Sequence, residues 1–281
     1  MFETIVIKSN NWVAEISPEL GANVTKLQYE NMDVLIPLLT REQLSVNPYI
    51  QGSPLLLPAN RTKDGKFSFE GRNYSLPITE EKTGANLHGL LHREIFDVVE
   101  VSEDSATLFY KNENKIYPFP FEMTVIYGFT EDKFVQRYDI KNTGFRNMPV
   151  TFALHTSFVE PDIFKVPIDA CHTKDENHIP YGEYNPLNEQ ELKYVNGSHS
   201  KGITISGYYR SIGNVATIGD YVYRVSSNFD HWILFNGEGK KGILCVEPQC
   251  GKSNGLNTDD GKVILISGQT ISFSTELCKE R

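Results

Sequence analysis

The chain of 281 residues holds 27 Lys and Arg against 36 Asp and Glu, a formal net charge of −9, with 40% hydrophobic and 22% charged residues. That balance leaves ample material for a core, and the acidic excess argues against a nucleic-acid partner, which needs a basic face. No apolar run is long enough to span a bilayer as a helix, so no membrane partner is expected. Residues 1–7 lack the basic-then-apolar pattern of a signal peptide. Cys171, Cys245, Cys250 and Cys278 show neither CxxC nor zinc-like spacing, so reduced thiols and a cytoplasmic location are expected.

Residues 4–8, 11–16 and 23–29 alternate apolar and polar side chains between turn signals at Ser9-Asn10 and Ser17-Pro18, which predicts a β-meander. Only residues 40–44 look helical in this part of the chain. Residues 51–58 read as a buried segment between prolines that delivers Ala59-Asn60-Arg61 to a loop. Asp64-Gly65 signals a hairpin joining residues 62–63 to 66–69, and residues 70–73 form a second turn. Strand patterns continue over 95–110, 121–129, 133–141 and 150–154. Prolines at 161, 167, 180 and 186 mark residues 160–200 as loop-rich, with a short helix over 187–194. Strands resume at 221–226, 232–235, 242–246, 263–266 and 270–275, while Gly237 and Gly239 belong to a turn rather than a phosphate loop. Strand after strand with almost no helical periodicity predicts an all-β fold, a large antiparallel sandwich with few short helices. No repeat or linker divides it, so residues 1–281 are expected to form a single domain.

Chemistry-bearing residues gather in a few places. Residues 86–93 carry His88, His92 and Arg93 beside Gly89. The HxxxH spacing suits a metal only on a helix, and Gly89 and the flanks oppose one, so no metal site is expected. His155 stands where an apolar strand emerges, able to hold the scaffold with one ring nitrogen and face a cleft with the other. Glu247 ends the apolar run 243–246, and a carboxylate there is costly unless paired or used. The acidic pairs Glu80-Glu81 and Asp259-Asp260 read as solvated loops. No GxSxG elbow is present, and a two-carboxylate glycosidase is not excluded by spacing.

Four separated stretches together resemble the aldose 1-epimerase (galactose mutarotase) family: Pro58-Ala59-Asn60-Arg61 through Asp64-Gly65-Lys66-Phe67, Leu87-His88-Gly89, His155-Thr156-Ser157-Phe158, and Cys245-Val246-Glu247-Pro248. Residues 16–22 and 255–257 add to the likeness, which spans nearly the whole chain. The resemblance implies a β-supersandwich fold and interconversion of the anomers of a free hexose without a cofactor. It implies Glu247 as general base and His155 as general acid. Arg61 and His88 would hold the sugar and its ring oxygen, with Asn60 and Phe158 completing the substrate-binding set. A monosaccharide is the expected partner, and the chain is expected to be a monomer or homodimer. His92 is expected in packing, with Arg93 left open.

The sequence departs from the family in two places. Better-known galactose mutarotases place a sugar-binding aspartate where residues 205–209 here have none; Asp230 is expected in a different strand. The proline that often follows the family's catalytic histidine is also absent after His155. Two other readings stay open: an epimerase for hexose 6-phosphates, for which Arg61, Arg72 and Arg93 are the available arginines, and a carbohydrate-binding homologue without turnover.

Overall fold

The computed structural model describes residues 3–239 and 242–280. Two eight-stranded antiparallel sheets dominate them. One sheet runs, in spatial order, through Asp97–Val101, Ser105–Asn112, Phe121–Thr130, Lys133–Asn142, Thr270–Lys279, Tyr221–Val225, Val215–Ile218 and Phe164–Lys165. The other runs through Pro180–Pro186, Ile168–Lys174, Ser206–Ser211, His231–Phe235, Ile243–Cys250, Phe152–Leu154 and Leu55–Leu56, with Ser157–Val159 also pairing to Ile243–Cys250. A smaller four-stranded sheet holds the N-terminal meander from Ile5–Lys8 to Met32–Asp33. The expected all-β sandwich is present, and among the described residues the α-helices are two short ones, Arg41–Val46 and Glu189–Asn196.

Local chemistry fixes the registers. Glu131 and Asp132 (φ 48° and 63°) make a two-residue turn that sets Thr130 opposite Lys133. Positive φ at both turn positions matches the right-handed twist of the flanking strands. Along Lys133–Asn142 every second side chain is buried, so one face joins the core. The two large sheets meet through aromatic rings: Phe152 lies 5.0 Å from Phe273 and 5.5 Å from Tyr138, and Phe158 lies 5.5 Å from Tyr223.

Two expectations about loops are corrected. Asp64-Gly65 does turn the chain, but not as a hairpin: Arg61–Thr62 pairs with Asn86–Leu87, while Lys66–Phe69 pairs with Arg72–Ser75 across Glu70-Gly71. Residues 160–200 are structured rather than loop-rich. Ile168–Lys174 and Pro180–Pro186 form a ladder at the margin of a large sheet, and Pro180 and Pro186 sit on its outermost strand, where a missing N–H is tolerated. The predicted helix starts two residues late because Asn188 caps it, accepting from the N–H groups of Gln190 and Glu191.

Candidate active site

Glu247 sits mid-strand in Ile243–Cys250 rather than at a strand end. Period-two alternation sends Leu244 and Val246 into the core and turns Cys245, Glu247 and Gln249 to the opposite face. That strand pairs with Phe152–Leu154 on one side of a break and with Ser157–Val159 on the other, in one continuous register. Carried through the break, the register sets His155 directly across from Glu247. The ladder is interrupted there, and the His155 N–H instead reaches the Pro54 carbonyl at 3.0 Å. The two side chains face each other with Nε2 of His155 3.5 Å from Oε1 of Glu247, both almost fully buried.

The Arg61–Thr62 and Asn86–Leu87 ladder brings the next two motifs together. It sets Arg61 beside Leu87, and the His88 N–H donates to the Asn60 carbonyl at 2.8 Å. Gly89 follows at φ 60°, where a Cβ would come within 2.1 Å of the Leu57 carbonyl oxygen. Only glycine permits that approach, and it holds the His88 ring 5.5 Å from that of His155. Asn60 is itself fixed: its Oδ1 accepts from Ser253 Oγ at 2.9 Å, and its Nδ2 donates to Gln249 Oε1 at 3.4 Å.

These groups line a cavity of about 240 Å³ whose wall includes Asn60, Arg61, His88, His155 and Glu247. Ligand pockets for larger molecules run to roughly 300–1,000 Å³, so this one suits a single small ring. Phe158 is not in it. It pairs with Leu244 and is buried against Tyr223, on the core side of its strand, and is absent from the cavity wall. The expectation of a sugar contact at Phe158 is therefore corrected. His92 packs at 5.0 Å against Tyr49 outside the cavity wall, as expected of a packing residue, and accepts from Arg93 Nε at 3.2 Å. Arg93 borders a separate small cleft, and Arg72 is exposed on the Arg72–Ser75 strand.

The cavity also holds residues that sequence reasoning missed. The sequence suggests a solvated loop for Glu80, yet it lines the cavity and forms a bidentate pair with Arg61, accepting from Nε at 2.7 Å and Nη2 at 2.8 Å. Arg61 Nη1 donates to the Tyr208 hydroxyl at 2.9 Å, and that hydroxyl donates to the His178 carbonyl at 3.3 Å. Tyr208 lies in the segment singled out for its missing aspartate. Asp230 is in a different strand region, as expected, where it accepts from His231 Nδ1 and the Gly251 N–H, each at 2.8 Å. Tyr49 closes the wall against the edge of His88 at 4.6 Å. No motif marks Tyr49 or Glu80; only tertiary pairing reveals them.

Burial dominates the electrostatics. It pushes the Glu247 carboxyl well above the usual carboxylate range, with the Arg61 charge working the other way. It pushes His155 down to about 4, and His88 well below its ordinary value, aided by His155 and Arg61. Burial thus disfavours both the imidazolium and the carboxylate, which favours one proton shared between His155 and Glu247, and at 3.5 Å that proton need move little. Cys245 lies beside them: the donor atoms of His155, Cys245 and Glu247 all fall within 4.8 Å of one another, a set that a thiophilic divalent ion would fit.

The sequence profile of the aldose 1-epimerase family matches residues 3–278. The chain belongs to the aldose 1-epimerase family. Its fold is that of the galactose mutarotase-like proteins. A galactose mutarotase-like protein of Clostridium acetobutylicum superimposes with a TM-score of 0.90, at 22% identity over 99% of this chain and 95% of that one. A galactose 1-epimerase of Lactobacillus acidophilus gives a TM-score of 0.80 at 14% identity over 99% and 95%. An uncharacterised Escherichia coli protein, YihR, is 23% identical over 95% of this chain and 90% of its own. At such identities the solved structures speak for the shared epimerase fold, and membership of the family supports an isomerase acting on a sugar.

Proposed function

We propose that this aldose epimerase interconverts the α and β anomers of a free hexose by acid–base ring opening, with Glu247 as base and His155 as acid. The observation that carries the reading is the buried His155–Glu247 pair, 3.5 Å apart, in a cavity it shares with Arg61 and His88. Glu247 takes the proton of the anomeric hydroxyl while His155 delivers one to the ring oxygen. The C1–O5 bond breaks, the aldehyde forms, C1 turns about the C1–C2 bond, and closure on the other face returns both protons. The pair ends each cycle as it began, so neither a cofactor nor an external acid enters the balance.

The single shared proton supports this assignment. Ring opening begins from the carboxylate–imidazolium form and leaves the pair neutral on both sides. Burial favours the neutral form and so stabilises the pair as it stands beside the open-chain sugar, while Arg61 and the sugar hydroxyls favour the Glu247 anion before opening. The arginines favour a free sugar over its 6-phosphate: Arg61 lines the cavity but is tied to Glu80, and Arg72 and Arg93 lie elsewhere. Binding without turnover is the weaker reading, since recognition alone needs no buried acid–base pair. Polarimetry on freshly dissolved α-D-glucose and α-D-galactose tests the proposal. Acceleration beyond the buffer rate is expected for one or both, and none for any free or phosphorylated aldose overturns it.

A further inference from the structure

The Arg61–Glu80–Tyr208 group has more order than a sugar-binding arginine alone requires. A guanidinium has five N–H donors. Two go to Glu80 at 2.7 and 2.8 Å and one to Tyr208 at 2.9 Å, which leaves two without a protein partner among the described residues. The Glu80 carboxylate accepts those two bonds and one from Thr83 Oγ1, which keeps one of its four lone-pair positions open. Burial opposes its charge, yet the Arg61 and Thr83 bonds outweigh that and hold it ionised. Lys174 is engaged beside the group: its Nζ donates to the carbonyl and hydroxyl of Ser206, each at 2.8 Å, and lies 5.2 Å from the centre of the Tyr208 ring.

What faces a ligand here is therefore a charge-balanced pair with donors on one member and an acceptor on the other. Neighbouring sugar hydroxyls complement it, accepting from Arg61 and donating to Glu80. A phosphate or carboxylate offers the Glu80 side no donor at neutral pH and sets like charges together.

We propose that Glu80, from the connection spanning residues 79–85, is the specificity-determining carboxylate of this site. It supplies by a different route the sugar-binding acid that residues 205–209 lack, and it selects neutral aldoses against sugars bearing phosphate or carboxylate. The inference rests on the cavity being the sugar site of the proposed function. Tyr208, standing in the segment without the aspartate, holds the guanidinium so that Glu80 can take that role.

The test compares the full-length protein with Glu80→Gln, which keeps the shape and removes the charge, and with Glu81→Gln, which removes the neighbouring exposed charge outside the cavity wall. Mutarotation kinetics and calorimetric binding are measured for D-glucose, D-galactose and their 6-phosphates. The wild type is expected to favour a neutral sugar by on the order of a hundredfold. Glu80→Gln should raise KM for that sugar roughly tenfold with kcat held, and lower the preference over the 6-phosphate at least roughly tenfold. Glu81→Gln should keep the preference. A wild type that takes the 6-phosphate equally well overturns the proposal. So does a Glu80→Gln preference unchanged from wild type, or a Glu81→Gln shift as large as that of Glu80→Gln. If no sugar is turned over, the acid–base reading fails, and the calorimetric preference still decides the role of Glu80: selective binding that Glu80→Gln relaxes supports it, and unselective or absent binding overturns it.

Discussion

His155 and Glu247 face each other across the one interruption in an otherwise continuous register, Nε2 to Oε1 at 3.5 Å. A break in the ladder at that position frees the imidazole from sheet packing while the strands on both sides hold its backbone. The strands on either side are buried apolar segments, so the pair is held rigidly and away from bulk water.

The pH profile follows from the shared proton. The one-proton form of the pair is the active one, and it is lost when His155 also takes a proton, at about pH 4, or when Glu247 finally loses its own. We expect kcat/KM to fall on the acid side below about pH 4, where His155 takes a second proton, and on the alkaline side above the usual carboxylate range, where Glu247 loses its own. An acid-side limb near pH 6.5, the ordinary histidine value, would contradict the burial of His155.

His92 makes a stability prediction. Burial pushes it down to about 3, with Arg93 and His155 contributing, whereas an unfolded chain titrates near 6.5. A depressed histidine stabilises the fold above the unfolded value, and that contribution is lost as pH falls through the window between the two. His92→Gln should therefore lose about 1.4 kcal/mol less stability per pH unit across that window than wild type. Urea unfolding at several pH values between 6 and 3.5 reads the difference, with activity at pH 7 largely kept.

Phe158 tests the face assignment. Phe158→Ala should cost about 3–5 kcal/mol of unfolding free energy through the lost contact with Tyr223, measured by denaturant unfolding. KM for the sugar should stay unchanged in the folded fraction. A raised KM with intact stability would return Phe158 to the cavity.

Gly89 tests how His88 is held. Gly89→Ala puts a methyl group within 2.1 Å of the Leu57 oxygen at a φ of +60°. A loss of at least about 2 kcal/mol is expected from the left-handed backbone and the overlap together, with a lowered Tm and a raised KM as His88 shifts. Wild-type stability in this variant would mean that the turn is looser than it stands here.

These outcomes show where the sequence was informative. Glu247 could be found because a carboxylate within Ile243–Cys250 is costly without a use, and His155 because it breaks an apolar run. The sheets could be found because period-two alternation survives in single strands. Glu80 could not: its partner Arg61 lies 19 positions away and Tyr208 another 128 beyond Glu80, so only the folded chain joins them. Phe158 misled for a related reason, since a motif places residues near a site without fixing which face of a strand they occupy. The hairpin signal at Asp64-Gly65 was a true turn, with Asp64 at φ 54°, whose flanking strands found other partners.

The most direct test of the acid–base pair is proton NMR exchange spectroscopy on an equilibrated solution of the accepted sugar at neutral pH. Exchange between the two anomeric resonances should be accelerated by wild type. It should be slower by about 10²–10⁴-fold with Glu247→Gln and with His155→Asn, both folded as judged by circular dichroism. Full acceleration by folded Glu247→Gln would contradict the assignment of the base.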